Sequence, residues 1–190
     1  FLRKRNRNIV VETRAELELL PEFCWLTLAQ IHQLLQIDNA VNMDARTVLS
    51  IMPFAAPEAA EDGSFGSALA KSFDPGSPTV HSLTDAVSWL TESKTRYELT
   101  QRLIALRGTA GWRRTPTSIE HEGGDHFSIV GVDVHAQGRE VSAWMQPLLM
   151  PAATGLLAFL TRRFDGVLHV LLQARPAAGA MDVVEAAPTV

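Results

Sequence analysis

Two stretches in the second half of the sequence set groups that can move protons or hold oxygen atoms at alternating positions. In the run from Glu140 to Gln146, the residues Glu140, Ser142, Trp144 and Gln146 fall on one side of an extended chain, and Val141, Ala143 and Met145 fall on the other. That is the pattern of a half-buried strand, closed by Pro147. In the run from Val167 to Arg175, His169, Gln173 and Arg175 share a side with Val167 and Leu171, while Leu168, Val170, Leu172 and Ala174 make an apolar side. An imidazole titrates near neutral pH, so His169 is the first acid–base candidate, with the Glu140 carboxyl second. The Arg175 guanidinium is a fork of donors suited to anionic oxygens such as those of phosphate. Trp144, Gln146 and Gln173 would orient a ligand. If the two polar sides meet in one concavity, they enclose a space suited to a small polar molecule.

The elements that must position these groups can be read from local signals. Thr154 to Arg162 reads as a buried strand, with a short helix as the alternative, and Asp165-Gly166 is a two-residue hairpin signal leading into the His169 strand. Further upstream, Ile119-Glu120-His121 leads toward a strand from about His126 to His135. Thr27 caps a helix with Leu28, Ile31, Leu34 and Leu35 at helical spacing, which leaves His32 at the surface or lightly packed. Asn42 caps a second helix, Met43 to Met52, ended by Pro53, with Val48, Leu49 and Met52 in the core. Ser82 and Asp85 have capping-box spacing for a helix to about residue 96, buried along Leu83, Ala86, Val87 and Leu90. Residues 54–80 turn to Ala, Gly, Ser, Pro and acid, and are expected to be a loosely ordered linker that Phe65 and Phe73 can tack to a neighbour. The first residues form a strand with Arg3, Arg5 and Arg7 on one face. This face is a solvated edge or an anion contact.

Composition limits the function classes. The chain has 190 residues, enough for a core of ordinary size, and a formal net charge of -4, which gives no general attraction to nucleic acid or to acidic membrane. No apolar run approaches the roughly 20 residues of a membrane span. The cytoplasm is the default location. A single cysteine, Cys24, excludes an internal disulfide and a cysteine-based zinc cluster within the chain. His121, His126 and His135 fit no tight ligand box, and alternation puts His126 and His135 on opposite faces, so no metal is expected there.

The runs REVSAWMQPLL, GVLHVLLQARP and AAPTV, with FLRKRNRNIVVE and FCWLTLAQIHQLLQIDNAVNMDARTVLSIMP, resemble the repeat unit of the NDP-hexose 2,3-dehydratases. The resemblance covers most of the chain outside residues 54–80. It implies an α+β, Nudix-related tandem-repeat fold, incomplete in this chain. Residues 1–53 would be the C-terminal part of one repeat, 54–80 the linker, and 81–190 the N-terminal part of the next. The activity it implies is loss of water across C2–C3 of dTDP-4-keto-6-deoxyglucose in deoxysugar biosynthesis, without metal or redox cofactor. The enzyme would be a homodimer of a longer protein and would pass its unstable product to a 3-ketoreductase.

On that resemblance, His169 or Glu140 supplies the base, and Trp144, Gln146, Gln173, Arg175 and Thr189 contact substrate. Arg3 and Arg5 would meet the pyrophosphate, and Trp112 would stack on the thymine; alternatively Trp112 packs beneath its own loop. The chain departs from the family pattern at HEGGDHF, where His126 stands for an expected aromatic, and after Pro176, where Ala-Ala-Gly replaces a motif with glutamate. Two other readings stay open: a binding or bracing segment without catalysis, and a Nudix hydrolase. The acidic Nudix box is missing, which weighs against the second.

Overall fold

The computed structural model describes residues 6–52, 61–138 and 140–190. Among these it shows a mixed α+β chain with two sheets and four α-helices. The chain divides into two compact units. The larger is built from Asn8–Gln101 and Leu156–Val190, the smaller mainly from Arg102–Gly155.

The sheet of the larger unit is organised on β8 (Val167–Arg175). Its strand order is β1 (Asn6–Glu12), β7 (Gly155–Phe164), β8, β2 (Phe23–Leu26), with β9 (Glu185–Ala187) paired to the C-terminal end of β8. β7 and β8 form the expected hairpin. Asp165 (φ 51°) and Gly166 (φ 76°) both take positive φ, the requirement of a tight two-residue turn matched to strand twist. The apolar side of β8 is buried, and Cys24 and Leu26 of β2 join it in register with Leu172 and Val170.

Helices α1 (Leu28–Leu34), α2 (Met43–Leu49), α3 (Phe65–Phe73) and α4 (Leu83–Arg96) supply the rest of the core. Thr27 caps α1 in a reciprocal box with Gln30, and Leu28, Ile31 and Leu34 are fully buried. Asn42 caps α2 by accepting from the Ala45 amide at 2.8 Å. Ser82 and Asp85 form the capping box of α4. Val48, Leu49 and Met52 are core residues, although α2 itself ends at Leu49.

Residues 54–80 are not uniformly loose, for α3 lies among them. Ser64 caps it, Ala68 and Leu69 enter the core, and the Ser72 hydroxyl accepts the Leu28 N–H at 2.9 Å. The small residues that lowered the apolar content let α3 approach closely, and Ser72 then satisfies an orphan amide at the start of α1. Phe73 stacks on His32, with ring centroids 5.5 Å apart.

The smaller unit carries a four-stranded sheet in the order β3 (Trp112–Arg114), β4 (Ser118–His121), β5 (Ser128–His135), β6 (Ala143–Met150), with its pairs antiparallel. Pro147 does not close the Trp144 strand. It sits within β6 opposite Gly131, whose own N–H points to the other neighbour, toward the Thr117 carbonyl at 3.5 Å. The pair is therefore not hydrogen-bonded, and on an edge strand the missing proline N–H faces outward, where no ladder bond is lost. Along β6, Met145 is 83% exposed, while Trp144 and Gln146 are half-buried. None of the described residues of this unit is fully buried.

Candidate functional site

The side chains expected to share one hollow lie on two sheets. Trp144 and Gln146 stand on β6 in the smaller unit; His169, Gln173 and Arg175 stand on β8 in the larger. Within the smaller unit, Trp144 and Gln146 do share a face, and the indole N–H donates to the Gln146 carboxamide oxygen at 2.8 Å. Glu140, Val141 and Trp144 line an open hollow with a cavity volume of about 630 Å³. Trp112 packs within its own unit. Its ring lies 5.1 Å from Phe127 and parallel to His126 at 6.2 Å, and its edge meets His121 at 5.6 Å. The bend before it is tight, since a Cβ at Gly111 (φ +74°) would lie 2.6 Å from His121 Nε2.

His169 is corrected by its surroundings. Its side chain is 0% exposed, Nδ1 lies 3.1 Å from the Val167 carbonyl oxygen, and Nε2 accepts the Val80 N–H at 3.3 Å. With Nδ1 as donor and Nε2 as acceptor, the neutral ring satisfies two backbone groups, and Phe164 covers it edge-on at 5.1 Å. Burial holds its pKa below the usual histidine value. It is a framework residue, out of a ligand's reach. Thr189 is likewise engaged within the sheet: its hydroxyl donates to the Leu171 carbonyl at 2.6 Å and accepts the Leu160 N–H at 3.0 Å. Gln173 is half-buried on β8. Arg3 and Arg5 lie outside the described residues. Cys24 is no nucleophile at neutral pH, since burial pushes its thiol pKa up to about 12.

Arg175 leads to a cleft that the spacing argument missed. Its guanidinium donates to Asp44 Oδ2 at 3.0 Å, and Asp44 lines a cavity of about 330 Å³ with Asn39, Asn42, Arg46, Glu185 and the loop 177–181. Backbone hydrogen bonds bring these residues together. Ala186 N–H donates to the Ala40 carbonyl at 2.8 Å and Asn42 N–H to the Ala186 carbonyl at 2.9 Å, so the turn between α1 and α2 runs beside β9. Asp44 and Arg46 at the start of α2 thereby face the same space as Glu185.

The loop above is fixed at several points. Gly179 N–H donates to Gln101 Oε1 at 3.1 Å, Met181 N–H to Glu185 Oε1 at 3.3 Å, and Lys94 pairs with Asp182. The hydrogen bond from Lys94 holds the Asp182 carboxyl below its usual range. The Ala-Ala-Gly departure from the family pattern is part of this loop. Glu185 had a sequence signal of its own: one carboxylate inside the apolar run Val183-Val184-Glu185-Ala186-Ala187. Among the described residues, no cluster of three or more His, Cys, Asp or Glu side chains is arranged to hold a metal ion.

The architecture is thus that of an α+β protein whose larger unit carries a cleft lined by both donors and acceptors. The chain belongs to the NDP-hexose 2,3-dehydratase family, whose model matches residues 1–52 and 83–190. Three curated relatives named dTDP-4-dehydro-6-deoxy-alpha-D-glucopyranose 2,3-dehydratase align over the whole chain. The protein from Saccharopolyspora spinosa is 46% identical, with 40% of its length covered. That from Streptomyces violaceoruber is 41% identical with 41% covered, and that from Amycolatopsis orientalis 39% identical with 36% covered. The chain therefore spans about two-fifths of the length of these relatives.

Proposed function

We propose that this sequence is part of a longer enzyme that removes water across C2–C3 of dTDP-4-keto-6-deoxyglucose. The observation that carries the reading is the family match on both sides of residues 53–82, joined to 39–46% identity with three dehydratases over the entire chain. The C4 ketone acidifies the C3 hydrogen. A base takes that proton, the enolate expels the C2 hydroxyl as water, and the resulting enol becomes the 3,4-diketone. Elimination then needs a base at C3, donors at the C4 oxygen and a proton for the departing hydroxyl.

Of the two acid–base residues first considered, Glu140 is the one a ligand can reach, in the hollow that it lines with Trp144. Trp112 is proposed to stack on the thymine, with Gln146, Gln173 and Arg175 as positioning donors and Arg3 and Arg5 as pyrophosphate contacts. We further propose a cytoplasmic homodimer of Nudix-related tandem repeats, with segments 1–53 and 81–190 from successive repeats joined by 54–80. A 3-ketoreductase would consume its diketone.

The test uses the full-length protein and the dTDP-keto-sugar, with loss of one water followed by mass spectrometry and the product trapped by reduction. Activity is expected. Replacing Trp112 by Ala is expected to weaken dTDP binding by about 10-fold, since base stacking contributes roughly 1–3 kcal/mol at nucleic-acid sites. An inactive full-length protein would overturn the dehydratase reading.

A further inference from the structure

The cleft of the larger unit contains a pair that the sequence-derived site does not include. Glu185 is 8% exposed, yet it lines the cavity. One of its oxygens accepts the Met181 N–H at 3.3 Å, and the other has no hydrogen-bond partner among the described residues. Its cross-strand neighbour Arg175 does not neutralise it, because that guanidinium is turned to Asp44 at 3.0 Å. That second oxygen is not one of the buried polar atoms left without a partner, so it opens onto the cleft, where it has no ion pair among the described residues. A carboxylate oxygen presented to a polar cavity can accept from a ligand hydroxyl or take a proton from it.

Arg46 is its counterpart. Its Nε donates to the Val41 carbonyl at 3.0 Å, which fixes the side chain against the turn, while its two terminal nitrogens have no partner among the described residues. The same cavity is thus offered an acceptor with a free lone pair and a donor fork with free hydrogens. Asp44 and the two asparagines add further groups for hydroxyls.

We infer that this cleft binds the keto-sugar ring, with Glu185 as the acid–base residue and Arg46 as the donor to the carbonyl oxygen. The assignment rests on the dehydratase reading. Glu185 takes the C3 proton as the C3–H electron pair moves into the enolate, whose oxygen is held by Arg46. The C2–O bond then breaks, the C2–C3 double bond forms, and the proton on Glu185 leaves with the hydroxyl as water. No electron is gained or lost overall, so no oxidant or reductant is required. Glu185 suits this role by position, because it lines the same cleft as Arg46 and Asp44.

The test is steady-state kinetics of the full-length enzyme on dTDP-4-keto-6-deoxyglucose, with dTDP binding measured in parallel. Glu185→Gln keeps an oxygen for the Met181 N–H and is expected to lower kcat by about 10²–10⁴ with dTDP affinity unchanged. Arg46→Ala, at an exposed position, is expected to lower kcat by about 10²-fold, and Arg46→Lys to restore part of it. Arg46 thus tests the cleft even if Glu185→Gln disturbs β9. An active wild type whose Glu185→Gln or Arg46→Ala form keeps wild-type kcat and KM overturns the cleft and leaves the dehydratase reading standing, whereas an inactive wild type removes that reading itself.

Discussion

A histidine whose two nitrogens both serve the backbone acts on the fold through its proton. His169 donates to the Val167 carbonyl and accepts from Val80, so a second proton would place an N–H against the Val80 N–H in a site closed to water. Burial is the main cause of its lowered pKa, the nearby His81 acts in the same direction, and the Val167 hydrogen bond and Asp165 oppose them. The sign follows: unfolded chains take up the proton near 6.5 and folded chains resist it, so this contribution is complete above 6.5 and is lost as pH falls toward the folded value. Urea unfolding at pH 7.5 and pH 5 should show lower stability in acid, and His169→Gln should flatten that difference. Replacement by Ala at neutral pH should cost about 2–4 kcal/mol, since it leaves two backbone groups unpaired and a cavity beside Phe164. An unchanged pH profile in His169→Gln would return the residue to the list of free acid–base groups.

Local chemistry makes the elements legible, and long-range pairing hides the site. Thr27, Asn42 and Ser82 each cap the helix they announce, because a cap is settled within three residues of sequence. The hairpin at Asp165-Gly166 is equally local, and there a substitution is informative. Gly166→Ala adds a Cβ at φ 76° and should destabilise the larger unit by about 1 kcal/mol, read as a lower midpoint in thermal unfolding; Asp165→Asn, which tolerates positive φ, should cost less. The pairing of β2 with β8 joins residues about 150 positions apart in the sequence, such as Cys24 with Leu172, and no period within either strand encodes it. The same holds for the cleft, where Arg46 and Glu185 meet only because the turn before α2 lies along β9. Alternation did assign the faces of β8 correctly. It could not show that the Val80 segment, expected to be loose, would close over the His169 side, and so it read a buried imidazole as an open one.

At the scale of the whole molecule, the two units differ in what holds them. Every fully buried hydrophobic residue among those described belongs to the larger unit, where helices α1–α4 close over one face of the sheet. The smaller unit has backbone ladders, half-buried side chains and the exposed Met145, Val141 and Met150, with no fully buried residue among those described to oppose opening. Hydrogen bonds contribute little net stability without apolar burial around them, so its strands should open by local fluctuation well before the larger sheet does. Hydrogen exchange on this 190-residue chain should find the amides of β5 and β6 exchanging at least about 100-fold faster than those of β8, a gap of roughly 3 kcal/mol in opening free energy. Binding of a hydrophobic dye should fall when Met145 and Val141 are both replaced by Ser, without a change in the exchange of β8. If the full-length protein protects β5 and β6 as strongly as β8, the additional protection comes from sequence outside these residues; equal protection in the 190-residue chain by itself would contradict the burial argument.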